Sequence, residues 1–131
     1  MISSSEALAI INRHTAQLDD ESILLANGLN RVLSTRAVAA IDLPPFNQSA
    51  MDGYALKLGN DNVLKVIGEI KAGDDASKIK LQKGEAIKIF TGAHCPSSAD
   101  MVCRIEDITE NGTTITVNSI PAAGANIRIQ G

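Results

Sequence analysis

Aromatic side chains are nearly absent from this sequence: Tyr54, Phe46 and Phe90 are the whole set, there is no tryptophan, and aromatics make up 2% of 131 residues. Any core must therefore be built from Ile, Leu, Val and Ala, and stacking platforms for nucleobases are excluded as a binding mode. Cysteine is as sparse. Cys95 and Cys103 lack the close paired spacing that zinc sites and redox motifs need, which leaves two reduced thiols and the cytoplasm as the expected compartment. Long apolar runs are missing too. No segment approaches the roughly 18 residues of a membrane span, and the opening MISSSEALAI has no positive region of the kind that begins a signal peptide. There is no excess of basic residues either. With a net charge of −3 and a pI of about 5.3, neither nucleic acid nor a membrane surface is an expected partner. Every lysine falls between Lys57 and Lys88, but Asp61, Glu69, Asp74, Asp75 and Glu85 lie among them, the composition of a solvated mixed-charge face.

What is present suffices for one ordinary domain, with 44% hydrophobic and 21% charged residues. Ser3 followed by Glu6 fits a capping box, and Ala7, Leu8, Ile10 and Ile11 then recur at helical spacing, so a helix is expected to about Gln17. Asp19-Asp20 interrupts it. Ser22 to Leu25 reads as extended, and Asn27 can cap a second short helix through Val32 and Leu33. Pro44-Pro45 can continue neither a helix nor an inner strand, which sets a boundary near Leu43. Residues 1–43 are then a helical arm and linker, and residues 44–131 a β-rich domain.

In that second part, short apolar runs at Tyr54 to Leu56, Val63 to Ile70, Ala86 to Phe90, Met101 to Ile108 and Thr113 to Val117 alternate with glycine and polar turns. Asn111-Gly112 predicts a type I′ hairpin. The tail from Pro121 to Gly131 reads as a last strand or as a connection. The fold class expected is α+β: the arm, then a compact and mainly antiparallel β domain.

Two loops could carry chemistry. Ser49-Ala50-Met51-Asp52-Gly53-Tyr54 places one carboxylate in a tight glycine-adjacent loop behind a restrictive double proline. Asp52 is either a presented functional group or, the commoner use of such an aspartate, an acceptor for turn amides. Thr91-Gly92-Ala93 ends an apolar run, and a hydroxyl with free amides there suits a phosphate or other oxyanion, although Thr-Gly is also simply a good strand ending. His94 and Cys95 are adjacent and point to opposite faces, so they make a poor nucleophile and base. His14 reads as packing or surface. Glu106 and Asp107, expected in a hairpin strand, cannot both face the site of Asp52.

PPFNQSAMDGYA at Pro44 to Ala55 and IFTGAHCPSSADMVCRIE at Ile89 to Glu106 resemble the molybdopterin molybdotransferase family, whose loops run close to PPFDNSAMDGYA and IxTGAPxPxGADAVVxxE. Arg31 to Leu33 and Ile41 to Phe46 extend the likeness. Departures are Gln48 for Asn, Phe90 for Met, His94-Cys95, and Ser97-Ser98; Asp52, Gly53, Thr91, Gly92, Pro96 and Asp100 are kept.

The resemblance implies an enzyme of molybdenum cofactor biosynthesis. It would transfer molybdenum from molybdate onto adenylylated molybdopterin with release of AMP, and Mg²⁺ would help. It also implies Asp52 as catalytic group and metal ligand, with Ser49, Thr91 and Gly92 as substrate contacts. A homodimer whose cleft combines two subunits, and contact with the upstream molybdopterin adenylyltransferase, are implied as well. Family members are about three times as long, so the chain reads as an N-terminal piece that is inactive alone. The alternative is a non-catalytic assembly module of the same pathway, docking through Ala7, Leu8, Ile10 and Ile11.

Overall fold

The computed structural model describes residues 2–131; Met1, the first residue of the expected arm, lies outside the described residues. The chain divides into two compact units between Val38 and Ala39.

In the first unit, α1 spans Ser4–His14. Its start follows from the capping box: Ser3 Oγ accepts from the Glu6 amide at 3.2 Å and Glu6 Oε2 accepts from the Ser3 amide at 2.7 Å, so two otherwise orphaned donors are satisfied. Arg13 and His14 complement the C-terminal end of the helix dipole. Thr15 is already extended, at φ −103°, so the helix stops short of Gln17. The second helix does not form. Leu25–Asn27 makes one 3₁₀ turn in which Asn27 is the last residue rather than the cap, and Val32 and Leu33 lie in no element. A short helix must offset its nucleation cost by burying a face, and none of the described residues up to Val38 is buried. An Arg31–Glu21 ion pair braces this extended stretch. No helix among the described residues is long and apolar enough to cross a membrane.

The second unit is a curled, mixed β structure. Its strands are β1 (Gln48–Ser49), β2 (Gly53–Lys57), β3 (Val63–Ile70), β4 (Glu85–Ile89), β5 (Met101–Arg104), β6 (Ile108–Asn111), β7 (Thr114–Val117) and β8 (Ile127–Arg128). Six of them form one sheet in the order β5-β2-β4-β3-β7-β6, while β1 and β8 pair separately. Every pairing is antiparallel except β3 with β4. The expected mainly antiparallel domain is met in part, since this one pairing is parallel. Segment 71–84 makes the crossover without a helix, and its Ala76 and Leu81 cover one face of the sheet.

Burial alternates along the central strand, as the pleat requires. Ala55 points into one apolar cluster, with Ile70, Ile87, Ile89 and Val102. Tyr54 and Leu56 point into the other, with Leu64, Met101, Ile115 and Val117. The sheet curls enough for Tyr54 on β2 to donate to Glu110 Oε1 on β6, 2.6 Å away. Lys88 Nζ lies 3.5 Å from the same oxygen and 5.9 Å from the Tyr54 ring centroid.

The run from Met101 does not continue as one strand. A 3₁₀ turn at Ile105–Asp107 separates β5 from β6, so Glu106 and Asp107 sit in a turn rather than in the hairpin strand. The β6–β7 hairpin forms with Asn111 opposite Thr114. Its two central residues are therefore Gly112, at φ +65°, and Thr113. Only the first has positive φ, which is the type II′ arrangement, one residue later than an Asn-Gly centre.

Burial, then the neighbouring Glu110 carboxylate, pushes the Tyr54 hydroxyl up to about 12. The neutral phenol is thus favoured in the fold. The stability it contributes is full below the unfolded value of about 10 and is lost as pH rises through the folded value. Tyr54 is the single tyrosine, so an ultraviolet titration reads it alone. The tyrosinate band is expected to appear near pH 12 in the folded chain and at about 10 in denaturant; equal midpoints would contradict the burial of Tyr54 and its bond to Glu110.

Candidate functional site

The two loops singled out in the sequence lie side by side. The amide of Ser49 donates to Ala93 O at 2.9 Å, that of Gly92 to Ser49 O at 2.9 Å, and that of Cys95 to Asn47 O at 2.8 Å, while Gln48 bridges His94. This short ladder fixes the loop before β2 against the loop after β4. Asp52 precedes β2 and Thr91 follows β4, and both are exposed.

Both Thr91 donors converge on one oxygen of Asp52. The Thr91 amide donates to Asp52 Oδ1 at 2.7 Å and the Thr91 hydroxyl donates to it at 2.8 Å. Hydrogen bonds to the charged form favour it, so the Thr91 amide, then its hydroxyl, hold the Asp52 carboxyl below the ordinary value for aspartate. Asp52 Oδ2 has no hydrogen-bond partner among the described residues. The backbone is held as well: Asp52 O accepts from the Ile105 amide at 3.2 Å.

Gly53 sets this geometry. It stands opposite Ile89 of β4 and Arg104 of β5. A Cβ there would collide with the Cys103 carbonyl oxygen and come within 2.9 Å of its carbon and 3.1 Å of Arg104 Cα, all backbone atoms. The opposite end of β2 is anchored by Asp100, whose Oδ1 meets Lys57 Nζ at 2.6 Å and whose Oδ2 accepts from the Leu58 amide at 3.0 Å. Lys57 first, and then that amide, keep the Asp100 carboxyl low.

The amides of the Thr-Gly-Ala loop are not available to an oxyanion. Thr91 gives its amide to Asp52, Gly92 to Ser49 O and Ala93 to Phe90 O at 3.0 Å. Gly92, at φ +85°, makes the turn that only glycine adopts freely. Ser49 is fully buried, and its hydroxyl donates to Met51 O at 2.6 Å. Ser49 and Gly92 therefore frame the loops, while Asp52 and Thr91 form the exposed pair.

The remaining candidates stand apart. His94 stacks on Phe46 with ring centroids 4.5 Å apart, and its Nδ1 lies 3.7 Å from Asp75 Oδ1. Cys95 is buried, which pushes its thiol up to about 11, and Cys103 is likewise raised by burial. Both thiols are free. Asp107 is engaged by Arg104 at 2.8 Å, and His14 is exposed on α1. Among the described residues no three His, Cys, Asp or Glu side chains gather as a metal site. The Ile105 amide is a contact that sequence reasoning missed, since a backbone donor leaves no trace in residue identity.

Residues 2–131 match the family described as MoeA N-terminal region (domain I and II). A molybdopterin molybdenumtransferase of Staphylococcus epidermidis is 34% identical over 138 residues, covering 99% of this chain and 33% of that protein. One from Nostoc sp. is 33% identical over 129 residues, covering 92% and 29%. The molybdenum cofactor synthesis protein cinnamon of Drosophila melanogaster is 37% identical over 108 residues, covering 76% and 18%. In three dimensions the chain is similar to the molybdopterin biosynthesis MoeA protein of Pyrococcus horikoshii, with a TM-score of 0.75, 33% identity, and coverage of 97% of this chain and 35% of that one. The chain thus spans about a third of the length of the bacterial relatives.

Gly53→Ala is expected to lower stability by about 2 kcal/mol or more, a fall of roughly 10 °C in thermal midpoint for a unit of this size. Gly68→Ala is the control. Its Cβ would meet only Ile87 Cδ1, at 3.7 Å, and the change should be neutral or slightly stabilising, by about 0.5 kcal/mol. Equal midpoints for the two variants would contradict the close approach at Gly53.

Proposed function

This chain belongs to the MoeA N-terminal region family, and from that membership we propose that it supplies one wall of a molybdenum insertase. The whole enzyme would transfer molybdenum from molybdate onto adenylylated molybdopterin and release AMP. The observation that carries the reading is the Asp52–Thr91 pair, two exposed polar residues from separate loops joined by bonds of 2.7 and 2.8 Å. Asp52 is the catalytic-side carboxylate in this proposal, Thr91 stands with it, and Ser49 and Gly92 shape the surface that the substrate meets. Asp52 Oδ2 is a hard oxygen suited to Mg²⁺, which binds through one or two carboxylates together with substrate phosphates; the ion when bound would neutralise charge on the phosphoanhydride. A single carboxylate does not make a complete site, which agrees with a composite cleft in a cytoplasmic homodimer and with an inactive isolated chain. The upstream molybdopterin adenylyltransferase is the proposed donor of the substrate.

A second reading rests on a different observation. On α1, Leu8, Ile10 and Ile11 are 46–60% exposed, and Leu24, Leu25, Leu29 and Val32 beyond it are 75–96% exposed; such an apolar surface suits association. It would make the first unit an assembly element, either beside the catalytic role or in place of it.

Asp52→Asn separates the two. The amide keeps an acceptor for Thr91, removes the charge and replaces Oδ2 by an NH₂ donor that cannot hold a metal ion. With the chain joined to the region that follows it in its relatives, the variant is expected to lose molybdenum insertion by about a hundredfold or more, the scale for removing one electrostatic group from an active site, with unchanged circular dichroism and thermal midpoint. Undiminished cofactor formation by a folded variant would reject the catalytic role and leave assembly.

A further inference from the structure

Resting on the reading that Asp52 meets the substrate, we propose that Arg104 and Asp107 are positioning residues whose ion pair closes the turn after β5 and so holds the Ile105 amide on the Asp52 backbone. Arg104 falls at an unspecified position of the family loop and Asp107 lies beyond its end, so the resemblance gives neither a role.

The turn spans Ile105–Asp107, and Arg104 stands at its start. The Arg104 guanidinium reaches from that end to the other: Nε and Nη2 both donate to Asp107 Oδ2, at 2.9 and 2.8 Å. Between the two partners lies Ile105, whose amide donates to Asp52 O at 3.2 Å, one step beyond the Gly53–Arg104 pairing that ends the β2–β5 ladder. Packing does not hold this last rung. None of the three turn residues is buried, and Ile105 is 43% exposed, so the ladder end opens readily unless something else ties it. The ties are polar: the Arg104 fork across the ends of the turn, and the Asn118 amide, which donates to Asp107 O at 2.8 Å. A partly exposed ion pair adds little to global stability. Two charge-assisted donors on one oxygen nevertheless define a geometry, and the amide they place is the one on Asp52. A misplacement of about 1 Å at a reacting group slows an active site by on the order of a hundredfold.

Amide hydrogen exchange in the 131-residue chain, and insertion kinetics in the chain joined to the region that follows it in its relatives, test this together. Arg104→Gln and Asp107→Asn are each expected to speed exchange at Ile105 by about twofold to fivefold, the scale of a partly exposed ion pair. Amides of the central strand β4 should stay unchanged. The double variant should be no worse than either single one, because the two side chains act as a unit. With adenylylated molybdopterin, molybdate and Mg²⁺ as reactants, each single variant should lower kcat by about tenfold or more while KM and the thermal midpoint stay near wild type. Arg104→Lys should recover part of both effects, since an ammonium can meet Asp107 but cannot form the fork. Unchanged exchange at Ile105 would overturn the proposal, and so would faster exchange with unchanged kcat. If Arg104→Gln or Asp107→Asn loses its amide dispersion, Arg104→Lys takes its place, and wild-type exchange and kcat in that variant would overturn the proposal equally. Intact insertion by Asp52→Asn, beside faster Ile105 exchange in Arg104→Gln, would sink the functional reading and leave the pair as a device that holds the turn.

Discussion

Gly53 has no side chain, and the carbonyl of Cys103 occupies the space that one would need. That close approach lets β2 sit between β4 and β5 while its first residue stays flush against the neighbouring backbone. Asp52 is consequently delivered at the sheet end within reach of two anchors, the Ile105 amide for its carbonyl and Thr91 for its carboxylate. A residue with a Cβ at position 53 would push β5 and its following turn away, and both the Asp52 backbone and its side chain would lose their fixed reference. The geometry of the Asp52–Thr91 pair is therefore a consequence of strand packing.

A similar economy applies to the curl of the sheet. Tyr54 follows Gly53 directly, points to the opposite face, and closes the curl by bonding Glu110 on β6. Adjacent residues thus serve both faces of one strand, Gly53 opening space near the site and Tyr54 tying the apolar cluster behind it. With so few aromatics, the second cluster relies on Leu, Ile and Val packing around that one ring, and the polar tip of the ring has to find a partner once it is buried.

The strands were legible in the sequence because alternation and glycine punctuation are local signals, and the runs at Tyr54, Val63, Ala86 and Thr113 all became strands. The capping box at Ser3 and Glu6 was legible for the same reason. The parallel neighbour β3–β4 was not, since a period of two residues carries no information about strand direction, and segment 71–84 carries no helical pattern to mark a crossover. The second helix failed where local pattern was weak and no buried face was available to Val32 and Leu33. At the site, residue types pointed to Asp52 and Thr91, but not to their bond. The partners of the Thr91, Gly92 and Ala93 amides include Asp52 and Ser49, distant in sequence, and a loop that looks rich in free donors is fully committed once the chain folds.

A long-range NMR coupling experiment that transfers magnetisation across hydrogen bonds, recorded on the labelled wild-type chain, tests the central claim most directly. A resolved coupling between the Thr91 amide nitrogen and the side-chain carboxyl carbon of Asp52 is the result this account predicts. A Thr91 amide that couples to no acceptor and exchanges with solvent at the rate of an open loop would contradict it, and would leave Asp52 without the partner that fixes it.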